Sequence, residues 1–278
     1  MLKVVKAQGQ GLVSDAGRWG YQHEGVPVGG VLDPFSFAVG NWALGNHDNM
    51  ACLELMGQFD FVCAKPCRVI LANRGAKALL NNKPVLCGQV LNLQEGDVLR
   101  TQPPGLGFWN MLCLQGGVDV PLVMGSRSTC LAAGFGGSQG RALQVGDEIH
   151  AGQAFIPAIS ERLRLALPLP TVDLAGRLCV NCLPGPEFEF LTEESKDLFA
   201  TQTHLLGNQS SRMGYRLEGQ QWALQNAWVT TRLIHSEATN VSTSASKKMD
   251  SPARLRPEET GPATITPARA MASKKDFS

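Results

Sequence analysis

The chain has 278 residues, of which 44% are hydrophobic and 18% are charged. This length and composition exclude wholesale disorder, because the chain can bury enough apolar surface to offset its ordering entropy, and they predict one large or two small globular domains. The 25 basic and 24 acidic side chains leave a net charge of +1, so neither a nucleic-acid partner nor a membrane partner is expected.

Short apolar runs separated by Gly, Pro, Asn and Asp recur along the chain, at the spacing of roughly 8 to 12 residues that is typical of β-sandwiches and barrels. They predict strands at 2–5, 52–55, 59–63, 68–72, 78–80, 98–101, 109–114, 163–167 and 177–182. Asn81 and Asn82 predict a turn. The segments 93–98 and 143–148 have similar sequences, which predicts that each forms the same kind of turn followed by a strand. The chain is therefore expected to be mostly β.

Two helices are predicted from their start signals. Asp33 is a favourable N-cap residue and Pro34 suits the first helical turn, so a helix is expected to begin there and to end before Gly45. Its predicted apolar face consists of Phe35, Ala38, Val39, Trp42 and Ala43. A second helix is expected to begin at Thr192, because the acidic residues 193–194 complement the positive end of the helix dipole.

The sequence shows no recognisable motif for a nucleotide or a metal ion. No G-x-x-x-x-G-K-[ST] loop occurs, and the glycine-rich segment 134–140 lacks the spacing of a dinucleotide-binding fingerprint. Cys179 and Cys182 form a C-x-x-C, and Cys63 and Cys67 form a C-x-x-x-C. Their strand-like surroundings predict reduced thiols and no bound metal.

Residues 1–11 include two lysines but lack the apolar stretch of a signal peptide, and no later window approaches the length of about 18 apolar residues that a membrane helix needs. A cytoplasmic protein is therefore expected. Lys248 lacks the Met-Lys-Met context of a biotin acceptor, so no biotin is expected on this chain.

Five segments rich in glycine, proline and polar residues carry a resemblance to a known family. They are Gly-Tyr-Gln-His-Glu-Gly-Val-Pro at 20–27, Gly-Gly-Val-Asp-Val-Pro at 116–121, Gly-Ser-Arg-Ser-Thr at 125–129, Pro-Gly-Pro-Glu at 184–187 and Ser-Arg-Met-Gly-Tyr-Arg-Leu-Glu-Gly at 211–219. Over residues 1–226 the chain resembles the family of biotin-dependent carboxyltransferase-type proteins. That family includes the C subunit of 5-oxoprolinase, the second subunit of allophanate hydrolase and the carboxyltransferase part of urea carboxylase.

The resemblance implies a fold of two linked cyclophilin-like β-barrels with a few short helices. We expect the first barrel domain at residues 1–167 and the second at 168–226. The second barrel is expected to be incomplete, because a closing strand and a Thr-Thr-Gly-Gly-Tyr-Pro segment of the family are missing here. Residues 227–278 are rich in Ser, Thr, Ala, Pro and charged residues without sustained periodicity, which predicts a disordered tail.

The resemblance also implies a function. The chain is expected to be a subunit of an ATP-dependent 5-oxoprolinase, a hydrolase that converts the cyclic amide 5-oxoproline to glutamate, and ATP is expected to bind with partner subunits. One alternative is a carboxyltransferase subunit that acts on urea or a related amide, with biotin on another chain. The other alternative is a non-catalytic regulatory protein that binds a kinase inhibitor.

Six residues in or beside the five segments are predicted to form the site. The candidate catalytic residues are His23, Arg127 and Tyr215, and the candidate substrate-binding residues are Arg18, Glu187 and Arg212. An arginine in a loop can clamp a carboxylate with its planar fork, and the alternative for these arginines is a salt bridge to a glutamate such as Glu24 or Glu218. A histidine can act as acid or base near neutral pH, or it can bond to a turn carbonyl.

Overall fold

The computed structural model describes residues 1–73, 75–104, 109–154, 165, 178–181, 183–201, 204–206, 212, 217–218, 252–256 and 264–267. The chain divides into two compact units, Met1–Pro168 and Leu169–Ser278. None of the helices in the described ranges is long and apolar enough to cross a membrane. The predicted mostly β fold with a few short helices is confirmed.

The described part of the first unit contains nine strands and one α-helix. The strands are β1 (Leu2–Ser14), β2 (Cys52–Cys63), β3 (Cys67–Leu71), β4 (Lys77–Leu80), β5 (Lys83–Val85), β6 (Val90–Leu93), β7 (Val98–Gln102), β8 (Asn110–Leu114) and β9 (Glu148–Ile149), and helix α1 is Pro34–Ala43. The nine strands form one antiparallel sheet, in which seven of them lie in the order β5-β4-β7-β2-β8-β3-β6. Strand β1 pairs with β2, and β9 pairs with β1.

Strand β2 gives the sheet its curl. It pairs with β1 along its whole length, while its residues 53–55 pair with β8 and its residues 59–62 pair with β7. Because β7 and β8 share the remaining edge of β2, they diverge and the sheet bends into a half-barrel around its apolar side chains. The sequence predicted two strands here. They are one strand because Gly57, at φ 98°, bends the backbone without ending the pairing to β1.

Strand β8 is apolar from Met111 to Leu114, and its position in the sheet explains this run. All five of its residues are buried, since both of its faces are covered. Leu112 and Leu114 belong to the main core of the half-barrel, whereas Met111 and Cys113 pack in a second cluster with Phe37 of α1. A strand covered on both faces reads as a continuous apolar run instead of an alternating one.

Helix α1 begins as predicted, because the Asp33 side chain accepts a hydrogen bond from the backbone N–H of Ser36 at 2.9 Å. Its predicted apolar face is wrong apart from Ala43. Phe35 and Trp42 are 48% and 64% exposed, and the buried residues are Ser36, Phe37, Gly40, Asn41 and Ala43. The helix lies on the sheet through Phe37 and through small residues such as Gly40, where a side chain would meet the Sγ atom of Cys113 at 2.6 Å.

The two similar segments predicted from the sequence form the same turn. In each, an aspartate side chain accepts the backbone N–H of the residue three positions before it, Gln94 for Asp97 at 2.7 Å and Gln144 for Asp147 at 2.8 Å. The glycine before each aspartate has a positive φ, which is the region that glycine occupies most easily. Local turn chemistry is therefore predictable from the sequence.

In the second unit, the described strands and α-helix are β10 (Leu178–Asn181), α2 (Glu193–Thr201), β11 (His204–Leu206), β12 (Leu217–Glu218), β13 (Pro252–Arg256) and β14 (Thr264–Pro267). They form a sheet in the order β10-β13-β14-β11-β12. The Oγ1 atom of Thr192 accepts the backbone N–H of Ser195 at 3.2 Å, which confirms the predicted start of α2. The predicted strand at 163–167 lies outside the described residues, apart from residue 165.

Strands β13 and β14 lie within residues 227–278, for which the sequence predicts a disordered tail. The division of the chain at residues 167 and 226 stays a prediction, and so does the disorder of the tail. Limited proteolysis at Lys247 and Lys248 tests the predicted disorder of the tail, because a flexible segment is cut readily at its lysines while a paired strand resists cleavage.

Candidate functional site

The buried carboxylate of Asp15, directly after β1, organises a loop of the first unit. Its Oδ1 atom accepts hydrogen bonds from the hydroxyl groups of Ser126 and Ser128, at 2.6 and 2.7 Å, and from the backbone N–H of Gly17 at 2.9 Å. Its Oδ2 atom accepts the backbone N–H of Arg127 at 2.6 Å. One carboxylate therefore fixes three consecutive residues, 126–128.

Arg127 is held by its backbone and by one side-chain nitrogen. Its carbonyl accepts the N–H of Gly137 at 2.9 Å, and its Nε atom donates to the carbonyl of Val120 at 3.0 Å. Among the residues that the structure describes, its two Nη groups have no hydrogen-bond partner. The half-buried guanidinium is thus fixed in place with donors left for a ligand.

A pocket of about 250 Å³ opens beside Arg127. Its walls include Gly116, Val118, Asp119, Gly152 and Gln153 as well as Arg127. The two glycines allow their loops to approach closely, since a Cβ atom at Gly116 would lie 2.2 Å from the carbonyl oxygen of Gly152. The Asp119 side chain is exposed, and within the described ranges it forms no ion pair. The pocket therefore presents a cation and a carboxylate together.

Arg18 is placed differently from Arg127. Its side chain is 1% exposed. The Nε and Nη2 atoms donate to the backbone carbonyls of Val123 and Ser128, at 2.9 and 3.0 Å, and the guanidinium lies 4.7 Å from the centroid of the Phe135 ring. These contacts tie Arg18 to the loop that carries Arg127, where it supports the site from within. Its predicted contact with substrate stays a prediction.

His23 lies on the surface, in a 3-10 turn at Gln22–Glu24. Its side chain is 75% exposed, and its Nε2 atom is 3.5 Å from a carboxylate oxygen of Glu24. This geometry leaves the imidazole accessible. The structure does not place it in the pocket of Arg127, and its catalytic role stays a prediction.

The other predicted site residues belong to the second unit. Arg212 is half-buried in a turn, and Glu187 lies in a 3-10 helix, Pro186–Phe190. Tyr215 lies outside the described residues. The roles predicted for these three residues stay predictions.

Two residues of the site were not assigned a role from the sequence. Asp119 stands inside the Gly-Gly-Val-Asp-Val-Pro segment, and a charged residue between glycines and a proline is a signal that could have found it. Asp15 could not be found in this way, because its partners lie more than 100 residues later in the chain and only the fold brings them together.

No metal centre is apparent in the described part of the chain, where no three His, Cys, Asp or Glu side chains lie close enough to hold an ion. Cys182 of the C-x-x-C pair lies outside the described residues. The predicted absence of a bound metal therefore stays a prediction.

Comparison with known proteins gives one family match. The signature of the family described as "Carboxyltransferase domain, subdomain A and B" matches residues 24–253. The matched range includes Asp119, Arg127 and every other wall residue of the pocket named above.

Individual relatives are similar over most of the chain. The C subunit of 5-oxoprolinase from Escherichia coli (strain K12) is 35% identical over 221 residues, which are 79% of this chain and 69% of that protein. The urea amidolyase of Lachancea kluyveri is 31% identical over 213 residues, which are 73% of this chain and 12% of that protein. The solved structure of K. lactis urea amidolyase matches with a TM-score of 0.66 at 25% identity, over 81% of this chain and 14% of that one.

Proposed function

Because the chain belongs to the carboxyltransferase domain family with subdomains A and B, we propose that it is a subunit of an ATP-dependent 5-oxoprolinase. The reaction opens the ring of 5-oxoproline to give glutamate. The similarity to the C subunit of the Escherichia coli 5-oxoprolinase supports this choice of substrate. The observation that carries the proposal is the pocket that Arg127 and Asp119 share.

The chemistry of the pocket complements a small lactam acid. Such a substrate has a carboxylate, a ring N–H and a ring carbonyl. The unpaired Nη donors of Arg127 suit the carboxylate or the carbonyl oxygen, because a guanidinium forms charge-assisted hydrogen bonds with either. The carboxylate of Asp119 suits the ring N–H, since an ionised carboxylate only accepts hydrogen bonds.

The size of the pocket suits a small substrate. A volume of about 250 Å³ lies just below the range of roughly 300–1,000 Å³ that is usual for drug-sized ligands. The sequence contains no recognisable nucleotide-binding motif, and we propose that ATP binds with partner subunits.

The lactam is a resonance-stabilised amide that resists attack by water, and ATP supplies a phosphoryl group that activates the amide oxygen. The part of this chain is to bind and orient the ring. Arg127 places its positive charge beside the oxygen that receives the phosphoryl group, where it stabilises the negative charge spread over the phosphoryl oxygens, an interaction that is worth more in the transition state than in the bound substrate. Asp15 fixes the backbone of Arg127 and so holds that charge in place.

The test is reconstitution with the neighbouring subunits, followed by measurement of 5-oxoproline-dependent ATP hydrolysis. We expect activity in the complex and a loss of about 100-fold in kcat/KM with Arg127→Ala, the size of effect seen when a transition-state donor is removed. Arg127→Lys keeps the charge but loses the fork, and it should recover only part of the activity. The matched control is Arg68→Ala, an exposed arginine on β3 that should leave the activity unchanged.

Two outcomes of that experiment are distinct. If no combination of subunits hydrolyses ATP in response to 5-oxoproline, the proposed function is wrong. If the complex is active and Arg127→Ala matches the native chain, the function stands and the role of Arg127 is wrong.

A second candidate is carboxyl transfer to urea or a related amide, with biotin on another chain. The similarity to urea amidolyase favours it, and urea would also use the donor of Arg127 and the acceptor of Asp119. Pairing the chain with a biotin carboxylase partner and measuring urea-dependent ATP hydrolysis distinguishes this candidate from the first.

A further inference from the structure

Two thiols lie in contact where β2 passes into β3, in the first unit and apart from the pocket residues. Cys63 ends β2 and Cys67 begins β3, with three residues between them. Their Sγ atoms are 3.9 Å apart. Cys63 is 1% exposed and packs in the main core, whereas Cys67 is half-buried and reaches the surface.

The backbone on either side of the two thiols is fixed by hydrogen bonds. The N–H of Cys63 donates to the carbonyl of Asp97, and the carbonyl of Cys63 accepts the N–H of Gly96, both at 2.8 Å. Cys67 is held in register opposite Leu93 of β6. The fold therefore brings the two sulfur atoms together, and little ordering entropy remains to be lost when they react with each other.

We propose that Cys63 and Cys67 form a dithiol site that a small-molecule disulfide oxidises to an intramolecular disulfide bond. The sulfur atoms must approach from 3.9 Å to about 2.05 Å, the length of the S–S bond. Rotation of the two short side chains supplies this movement, because the residues already face each other.

The reaction proceeds in two exchanges. Cys67 is the more accessible residue, and its thiolate attacks one sulfur of the oxidant, which breaks the S–S bond of the oxidant and releases one small thiol. The thiolate of Cys63 then attacks the Sγ atom of Cys67 and releases the second small thiol. The two cysteine protons end on the released thiols, and two electrons pass from the pair to the oxidant.

Burial and the neighbouring Cys63 raise the pKa of Cys67 to about 11. The attacking thiolate is therefore scarce at neutral pH, and the first exchange is slow. A thiol of high pKa is also a poor leaving group, so the bond is slow to open once it has formed. The two thiols should therefore stay reduced during brief exposure to the oxidant. They should form the disulfide bond only on prolonged exposure.

The test treats the purified full chain with oxidised glutathione and digests it with chymotrypsin. Cleavage after Phe61 separates Cys63 and Cys67 from Cys52. We expect a peptide that contains both cysteines, has lost two hydrogens and carries no glutathione. A peptide that keeps both thiols, that retains glutathione on Cys67, or that is joined to another cysteine would overturn the proposal.

Two variants test the order of the steps. Cys63→Ser removes the resolving thiol, so glutathione should remain on Cys67. Cys67→Ser leaves only the buried thiol, so the peptide should stay unmodified. Cys113→Ser replaces a buried cysteine outside the pair and should oxidise like the native chain. Circular dichroism identifies any variant that fails to fold. For such a variant, the peptide map of the oxidised native chain alone decides whether Cys63 and Cys67 form the disulfide bond.

Discussion

The carboxylate of Asp15 accepts the backbone N–H of Arg127 at 2.6 Å, across 112 residues of sequence. The same carboxylate holds the hydroxyl groups of Ser126 and Ser128. A buried charge of this kind is stable only when its hydrogen bonds are satisfied, and here the loop that carries Arg127 satisfies them. The position of the pocket arginine is therefore coupled to the stability of the first unit.

The first prediction follows from this coupling. Asp15→Asn replaces one accepting oxygen with an amide group that donates, so at least one of the accepted hydrogen bonds is lost. We expect the free energy of unfolding to fall by about 2 kcal/mol, the value of a hydrogen bond to a charged group. Urea denaturation measures this change. Asp48→Asn, at an exposed aspartate, is the control and should change the stability by less than about 0.5 kcal/mol.

The second prediction separates the two arginines. Arg18→Ala removes the hydrogen bonds to the carbonyls of Val123 and Ser128, of which Val123 keeps the N–H of Ser126, and it removes the contact with Phe135, so the unfolding free energy should fall by about 3 kcal/mol. Arg127→Ala removes one bond to a carbonyl and should cost about 1 kcal/mol. Thermal and urea unfolding of both variants test this difference. Equal losses in the two variants would show that Arg18 does not support the loop.

The third prediction concerns the contact between α1 and the sheet. Helix propensity alone favours alanine over glycine by about 1 kcal/mol. At Gly40 a Cβ atom would lie 2.6 Å from the Sγ atom of Cys113 and 2.8 Å from the Cβ atom of Ala72, so overpacking should outweigh propensity. We expect Gly40→Ala to lower the unfolding free energy by about 1–2 kcal/mol.

A double variant provides the control for Gly40→Ala. Cys113→Ala removes the sulfur atom that the new methyl group would meet, so the two changes together should cost less than the sum of each alone. Additive costs would mean that the methyl group does not meet Cys113.

The sequence predicted what depends on neighbouring residues. The start of α1 needs only Asp33 and Ser36, and the turn at Asp147 needs only Gln144, so three or four residues contain the whole interaction. The family resemblance was also predictable, because it rests on contiguous segments, and the family match confirms it.

The sequence could not predict features that depend on the space between packed elements or on residues far apart in the chain. The face of α1 was misjudged because hydrophobic pattern ranks Phe35 and Trp42 as core residues, while the close contact with Cys113 requires the small Gly40. The link between Asp15 and Arg127 requires the chain to fold before the two residues can be recognised as partners.

The last prediction concerns pH and the turn at Asp147. Both oxygens of its carboxylate bond the guanidinium of Arg141 at 2.8 Å, and this contact holds the pKa of Asp147 below its ordinary value. Because the pKa of Asp147 is lower in the folded state, its charged carboxylate stabilises the fold. This contribution to the free energy of unfolding is complete above the pKa of the unfolded state, about 3.9, and is lost as the pH falls through the pKa of the folded state. Asp147→Asn should therefore cost about 1 kcal/mol near neutral pH, and the difference from the native chain should shrink below about pH 4.

Denaturant unfolding at several pH values between neutrality and pH 3 measures this difference. Arg141→Gln removes the cation and leaves the hydrogen bond from Gln144 in place, so it isolates the ion pair from the turn. The unfolding free energy of Arg141→Gln should also be lower than that of the native chain near neutral pH, because the charged carboxylate has lost its cation. This difference should likewise shrink below about pH 4. A cost of Asp147→Asn that stays constant down to pH 3 would show that the charge of the carboxylate, and with it the ion pair to Arg141, does not contribute to stability.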